Sequence, residues 1–142
     1  MKNIILMLLV AVFIFSCQDD TEATTDLTPA DYSLEGKWRM QVTDSQMYIF
    51  QDGIRYTIYC NEEVCDWDAF TIADASPTNG AYTFENDTLI VNQSGPGVSF
   101  MGGRAIYKCD GNVLTIKRKG HYGSEFDEVI YRYGYNLEDC TE

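Results

Sequence analysis

A period-two alternation of apolar and polar side chains constrains the fold of this chain more than any other feature of its sequence. In residues 36–42, Trp38 and Met40 fall on one face of an extended segment, and Lys37 and Arg39 fall on the other. Segments that alternate in this way and end at turn residues are typical of half-buried β-strands. Beyond the N-terminal apolar run no stretch has a convincing helical period, so the chain is predicted to be all-β.

Turn residues divide the alternating region into hairpins. Asp52-Gly53 separates two of the strands, and glycine supplies the positive φ that a two-residue hairpin turn needs. Two further pairs meet at Asn86-Asp87 and at residues 110–112. Residues 67–73 are either a short strand or a covering loop. The other predicted strands are residues 36–42, 47–51, 54–60, 81–85, 88–93, 104–109, 113–118 and 127–133.

About eight strands in sequential hairpins predict one small domain over residues 34–142. The domain is predicted to be an up-and-down antiparallel β-barrel, because such a barrel closes on itself and leaves no strand edge exposed. A β-sandwich is the alternative architecture. About 110 residues suit one core and leave no room for a second domain.

The N-terminus has the layout of an export signal. A single cation, Lys2, is followed by an apolar run over residues 4–15 and by the small residue Ser16. The run is about a dozen residues long, whereas a helix that spans a bilayer needs roughly 20. Residues 1–16 are therefore predicted to be a signal peptide that is removed.

The end of this segment, Ile14-Phe15-Ser16-Cys17, resembles the lipobox of bacterial lipoproteins, which implies that Cys17 carries a lipid anchor. Residues 17–33 contain few apolar side chains and are predicted to be a flexible tether. The acidic residues directly after Cys17 resemble the surface-export signal of Bacteroidota lipoproteins. The expected location is the cell envelope, anchored in the outer membrane and exposed at the cell surface.

The other four of the five cysteines predict two disulfides, because an even number of cysteines in an exported chain is typical of disulfide bonding. Three pairings are available in principle. Cys60 and Cys65 flank a short polar loop, and Cys140 in the tail is positioned to hold the C-terminus to the strand of Cys109. We favour these two pairings.

The charge of the chain excludes one class of partner. Twenty-two acidic residues outnumber ten basic ones, which gives a formal net charge of −12. The basic residues form no continuous patch, so nucleic acid is not expected as a partner. The acidic loop over residues 62–68 instead suggests a cationic protein as a partner.

The strand that begins with Gly36-Lys37-Trp38 resembles the first strand of the lipocalin-like, or calycin, barrels, including Bacteroidota lipoproteins of that type. The runs at residues 82–89 and 110–116 are similar to the recurring hairpins of the family. In that family the tryptophan closes one end of the barrel beside a basic residue from the last strand, and Arg132 is the candidate. Alternation puts Arg132 on the face opposite Tyr131 and Tyr133.

The resemblance implies that a small apolar or amphipathic ligand binds in the barrel mouth. Aromatic side chains predicted to point inward supply a suitable lining, and tyrosine adds a hydrogen-bonding tip. The alternative is that these large rings fill the interior. The predicted ligand-binding residues are Trp38, Met40, Tyr48, Tyr56, Tyr107, Tyr131 and Tyr133, and Phe50 and Ile58 are also expected to face inward.

No motif in the sequence indicates an enzyme, a metal centre or a cofactor. His121 is the single histidine, and it lies in a glycine-flanked turn. Residues 94–97 and 102–103 lack the strand-to-helix context of a nucleophile elbow or a phosphate loop. The leading expectation is a lipid-anchored binding protein without catalytic residues. The second is a protein-interaction lipoprotein that inhibits a cationic enzyme or serves a surface complex.

Overall fold

The computed structural model describes residues 32–93, 101–119 and 123–141, which form a closed barrel of eight antiparallel strands. Two single-turn 3₁₀ helices, Ile72–Asp74 and Leu137–Asp139, lie outside the barrel wall. The strands are β1 Gly36–Met40, β2 Gln46–Gln51, β3 Ile54–Tyr59, β4 Gly80–Glu85, β5 Thr88–Gln93, β6 Met101–Lys108, β7 Val113–Lys119 and β8 Glu125–Arg132.

Each strand pairs with its neighbours in sequence, and β8 returns to pair with β1. The closing register sets Trp38 opposite Arg132 and Met40 opposite Ile130. This closure confirms the predicted all-β, up-and-down barrel and excludes the sandwich. Residues 67–73 contain no strand, so of the two alternatives for this segment the loop is correct and the strand is wrong.

The two ends of the barrel differ in how the strands are joined. At one end, which we call the closed end, the turns between β2 and β3 and between β4 and β5 have two residues each. Asp52 and Asn86 adopt positive φ there, as tight hairpin turns require. At the other end, which we call the open end, β1 is joined to β2 by residues 41–45 and β3 to β4 by residues 60–79.

The barrel interior is filled through most of its length by large apolar side chains. Because side chains alternate between the two faces of a strand, register partners such as Tyr48 and Trp38 share the inner face. The buried cluster inside the barrel consists of Leu34, Trp38, Tyr48, Phe50, Leu89, Val91, Ala105, Tyr107, Leu114, Ile116 and Ile130.

A second apolar cluster lies on the outside of β2 and β3. Met47, Ile49 and Ile58 point outward. The loop over residues 60–79, which we call the covering loop, packs Trp67 and Phe70 against them. The amide of Ser76 in this loop donates to the Thr57 carbonyl at 2.8 Å. β2 and β3 are therefore apolar on both faces, and the covering loop shields their outer face from solvent.

The disulfides are Cys60–Cys65 and Cys109–Cys140, which confirms the favoured pairing. The first closes the start of the covering loop, and the second ties the C-terminal segment to the end of β6. The predicted signal peptide and Cys17 lie outside the described residues, as do His121 and residues 94–97. Within the described part of the chain, no helix is long and apolar enough to cross a membrane.

Candidate ligand site at the open end of the barrel

A cleft of about 310 Å³ lies at the open end of the barrel, and we call it the mouth cleft. Two apolar side chains at its rim are unusually accessible, since Val42 is 76% exposed and Phe126 is 50% exposed. An apolar rim that surrounds a few polar groups is typical of small-molecule sites. The residues lining the mouth cleft are Met40, Val42, Tyr48, Arg118, Phe126, Asp127 and Glu128.

The floor of the mouth cleft is a buried polar cluster of Tyr48, Arg118 and Glu128. The Tyr48 hydroxyl donates a hydrogen bond to Glu128 Oε1 at 3.0 Å. Arg118 Nη2 forms an ion pair with the other carboxylate oxygen, Glu128 Oε2. Both oxygens of the buried carboxylate are thereby engaged, as a charge removed from water requires.

Arg55 places a second cation beside this cluster. Its side chain is 2% exposed, and its guanidinium lies 4.8 Å from the centroid of the Tyr48 ring, within cation–π range. Burial lowers the pKa of Arg55. Burial, reinforced by the Glu128 carboxylate, raises the pKa of Tyr48. Ionisable groups shifted by burial and by specific partners inside a cleft are typical of functional sites.

At the closed end, polar side chains contact the backbone and a ring instead of lining the mouth cleft. The fully buried Trp38 donates from Nε1 to the Leu34 carbonyl at 2.8 Å. The Arg132 guanidinium lies 4.6 Å from the centroid of the Trp38 ring. It also donates to the carbonyls of Ser33, Glu35 and Gly111. The expected pairing of Trp38 with Arg132 is thus present, and its contacts are with backbone and ring.

Four of the seven predicted ligand-binding residues point into the barrel, and two of these four reach the mouth cleft. Met40 and Tyr48 line it. Trp38 lies at the closed end, and Tyr107 packs there against Tyr32 with ring centroids 5.3 Å apart. Burial raises the pKa of Tyr107 to about 12. These latter two side chains fill the interior, as the alternative interpretation of the aromatic residues expected.

The expectation that Tyr56, Ile58, Tyr131 and Tyr133 face inward is wrong. Tyr56, Ile58 and Tyr133 belong to the outer cluster under the covering loop. Tyr131 alternates with the fully buried Ile130 and therefore lies on the outer face of β8. The physical reason is that β2, β3 and β8 carry apolar side chains on both faces, so apolarity alone does not identify the inner one.

Sequence reasoning missed three charged residues, namely Arg55 beside the floor and Arg118 and Glu128 within it. The register of the β2–β3 hairpin held a signal for the first of them. A two-residue turn at residues 52–53 sets Gln51 opposite Ile54, and hence Phe50 opposite Arg55. If Phe50 points inward, so does Arg55.

The acidic side chains of the covering loop form no metal centre. Among the residues that the structure describes, no group of three or more histidine, cysteine, aspartate or glutamate side chains is arranged to hold a metal ion. Glu62, Glu63, Asp66 and Asp68 are all exposed. With Asp44 and Trp67, the first two line an outer cleft of about 390 Å³.

Comparison of the chain with protein-family models, with curated proteins and with solved structures gave no match in any of the three.

Proposed function

We propose that this chain is a lipid-anchored, lipocalin-like lipoprotein of the cell envelope that binds a small hydrophobic or amphipathic ligand in the mouth cleft. The observation that carries the proposal is the cleft itself, where exposed Val42 and Phe126 stand above the buried Tyr48–Glu128–Arg118 cluster. Supporting it is the barrel, since some eight-stranded barrels hold one small ligand. The proposal includes no catalytic step.

Native mass spectrometry tests the presence of a ligand. Protein produced from the full chain in a bacterial envelope is purified and weighed intact, and any bound small molecule is extracted and identified. A retained molecule with an apolar part supports the proposal and names the ligand class. A clean unliganded mass, repeated after exposure to a total lipid extract, contradicts it.

A matched pair of substitutions tests the location. Val42→Asp puts a carboxylate in the rim of the mouth cleft, whereas Val64→Asp makes the same change at a side chain that is 81% exposed on the covering loop. We expect Val42→Asp to weaken ligand retention by about tenfold or more, because a charge at an apolar contact is costly. Val64→Asp should leave retention unchanged. Equal effects from the two variants contradict binding in the mouth cleft.

Lipid anchoring is tested separately at Cys17. The wild-type chain should incorporate labelled palmitate and sediment with the membrane fraction, because attached acyl chains hold a protein to a bilayer. Cys17→Ala should abolish both properties, while Cys65→Ala, a cysteine of the barrel domain, should not. Labelling that persists in Cys17→Ala contradicts the proposed anchor.

A second candidate function is binding of a cationic protein by the covering loop. The observation that favours it is the exposure of Glu62, Glu63, Asp66 and Asp68 on a loop held by the Cys60–Cys65 disulfide. Such binding should weaken steeply between low and physiological salt, because exposed charges are screened. A Glu62→Gln/Glu63→Gln variant that binds a basic protein as tightly as wild type contradicts this candidate.

A further inference from the structure

Exposed apolar side chains are concentrated at one end of the described barrel. Five large ones are exposed, and all five belong to or adjoin the segments that connect strands at the open end. The described turns of the closed end have none. Apolar groups gathered on one part of a surface are typical of interaction sites. The five are Val42, Tyr59, Val64, Ile72 and Phe126.

The connection between β1 and β2, residues 41–45, separates two clefts at this end. Val42 lines the mouth cleft, whereas Asp44 lines the outer cleft of about 390 Å³ beside the covering loop. The Cys60 amide donates to the Ser45 carbonyl at 2.9 Å, which holds this connection against the start of the covering loop. The two clefts thus border one surface, with exposed apolar groups on both sides of the connection. We call it the open-end surface, and its residues are Val42, Asp44, Glu62, Glu63, Val64, Phe126 and Asp127.

Every exposed charged side chain that lines the two clefts is acidic. The two guanidinium groups in the lining are largely buried and already paired. Arg39 pairs with Asp44. Arg118 pairs with Glu128. The exposed carboxylates of the lining are those of Asp44, Glu62, Glu63 and Asp127.

The charge of the open-end surface decides between possible partners. A second copy of the chain would set carboxylates against carboxylates, and an anionic bilayer would repel them. Lys119 does not reverse the sign, because it lies 3.9 Å from the carboxylate of Glu125. A basic segment gains from the same carboxylates, and its own apolar side chains can cover those of the surface.

We propose that the open-end surface binds a cationic amphipathic segment of a partner protein, whose basic side chains meet the carboxylates and whose apolar side chains cover Val42, Val64 and Phe126. The inference rests on the second candidate function above. It adds an apolar face to the partner and extends the contact from the covering loop to the rim of the mouth cleft. Burial of that apolar face gives affinity that salt does not screen.

Three peptides of one length, about 14 residues or about 20 Å as helices, test the chemistry of the partner. The first places leucine and lysine on opposite helix faces, the second replaces its lysines by glutamate, and the third replaces its leucines by serine. Fluorescence anisotropy measures their binding to protein produced from the full chain, at physiological salt.

The leucine–lysine peptide should bind at least about tenfold more tightly than either of the other two, because burial of one large apolar side chain gives about that factor or more. Equal binding of the leucine–lysine and serine–lysine peptides overturns the inference and leaves the charge-driven binding of the second candidate function in place. Retention of a small ligand by a protein that binds none of the peptides overturns this inference alone.

A matched pair of substitutions locates the apolar contact. Val64→Ser acts in the open-end surface, whereas Ile72→Ser acts at an exposed side chain of the covering loop that lines neither cleft. Val64→Ser should weaken binding of the leucine–lysine peptide about fivefold or more and leave ligand retention in the mouth cleft unchanged. Ile72→Ser should change neither. Both variants have the wild-type N-terminus, so any peptide bound by a lipid anchor cancels in the comparison. Equal losses in the two variants overturn the location.

A second pair tests the acidic contact. Glu63→Gln should weaken the leucine–lysine peptide about two- to fivefold, as expected for an exposed ion pair. Glu85→Gln makes the same change at an exposed side chain at the end of β4, beside a turn of the closed end, and should leave the affinity unchanged. An equal loss in Glu85→Gln would assign the binding to the net charge of the chain and overturn the proposal.

Analytical ultracentrifugation and vesicle flotation examine the other possible occupants. A dimer that Val64→Ser dissociates would assign the surface to a second copy of the chain. Flotation of the Cys17→Ala chain with phosphatidylcholine vesicles that Phe126→Ser abolishes would assign it to a bilayer. Either result overturns the proposal, whereas a monomer that floats only through Cys17 supports it.

Discussion

Arg132 joins three segments of the closed end through one side chain. Its guanidinium donates to carbonyls of the N-terminal segment at Ser33 and Glu35, and to Gly111 in the β6–β7 turn. At the same time it covers the ring of Trp38. Gly111 adopts a φ of +78°, and a Cβ there would overlap the Tyr32 ring. Glycine therefore lets the β6–β7 turn pack directly against Tyr32.

We expect Arg132→Lys to lower the free energy of unfolding by about 1–2 kcal/mol, because an ammonium cannot span three carbonyls and the part-buried and exposed acceptors lose hydrogen bonds from a charged donor. Urea unfolding followed by circular dichroism measures this. The control is Arg104→Lys, since the side chains of Arg104 and its partner Asp87 are both about half exposed and such pairs contribute less than about 1 kcal/mol. Equal losses in the two variants would show that Arg132 does not hold the closed end together.

At the residue scale, sequence reasoning succeeded where a motif identified the position of a residue. It failed where apolar character had to decide which face of a strand points into the barrel. The motif around Trp38 placed this residue and Arg132 correctly. Tyr56 and Tyr133 were misplaced because the outer face of their strands is also buried, under the covering loop. Which face a loop covers depends on contacts distant in sequence, and alternation does not contain that information.

At the scale of elements, the two disulfides constrain loops of very different length. Cys109–Cys140 has a sequence separation of 31, whereas Cys60–Cys65 has a separation of 5. Both pairings are the ones favoured from the sequence among the three available, because one pair flanks a short loop and the other joins a tail to a strand. The turns and covering contacts that set the path of residues 60–79 did not follow, since that loop has no periodic pattern.

Replacing Cys109 and Cys140 by serine should destabilise the domain more than the same change at Cys60 and Cys65. Loop-closure entropy predicts losses of about 4 kcal/mol and about 2 kcal/mol respectively, because a longer loop gains more freedom in the unfolded chain. Urea unfolding of both double variants and of the wild type under oxidising conditions gives the comparison. A larger loss from the shorter loop would mean that packing of the covering loop outweighs chain entropy.

The β4–β5 turn is linked to β6 by an ion pair whose contribution should depend on pH. Arg104 Nε lies 2.7 Å from Asp87 Oδ2, and this hydrogen bond holds the pKa of Asp87 below its ordinary value of 3.8. A carboxyl whose pKa is lowered by folding stabilises the folded state above the unfolded pKa, and loses that contribution as pH falls.

Asp87→Asn should therefore reduce the free energy of unfolding at pH 7, and its difference from wild type should shrink as the pH falls below about 4. Thermal unfolding across this range measures the difference. Asp110→Asn, at another turn of the closed end, is the control for replacing a turn aspartate. A deficit in Asp87→Asn that stays constant down to pH 2 would attribute the effect to turn geometry instead of charge.

At the scale of the whole molecule, the barrel follows from the sequence more completely than the site does. Hairpins joined in sequence, each with one apolar face, can bury those faces together by closing into a barrel. The chain enters this barrel at the closed end through Leu34, so the mouth cleft lies at the end opposite the predicted tether. The charged floor was not predictable, because Arg118 and Glu128 occupy inward positions that the same alternation assigns to apolar residues.

Alkaline titration tests how far the interior is closed to water. Burial is the largest cause of the raised pKa values of Tyr48, Tyr82 and Tyr107, and the last of these is raised to about 12. In the unfolded chain these phenols ionise near pH 10. A group whose pKa is raised by folding favours the folded state fully below the unfolded pKa, and this preference is lost as pH rises towards the folded value.

We therefore expect the free energy of unfolding to decline above pH 10. Absorbance at 295 nm should show that at least three of the ten tyrosines remain protonated at pH 11 while the β-sheet signal in circular dichroism persists. These phenols should then ionise together with the loss of that signal, because they reach solvent when the barrel opens. Ionisation of all ten tyrosines near pH 10 in a barrel that stays folded would mean that water enters the interior freely. That result would contradict a packed core between the closed end and the mouth cleft.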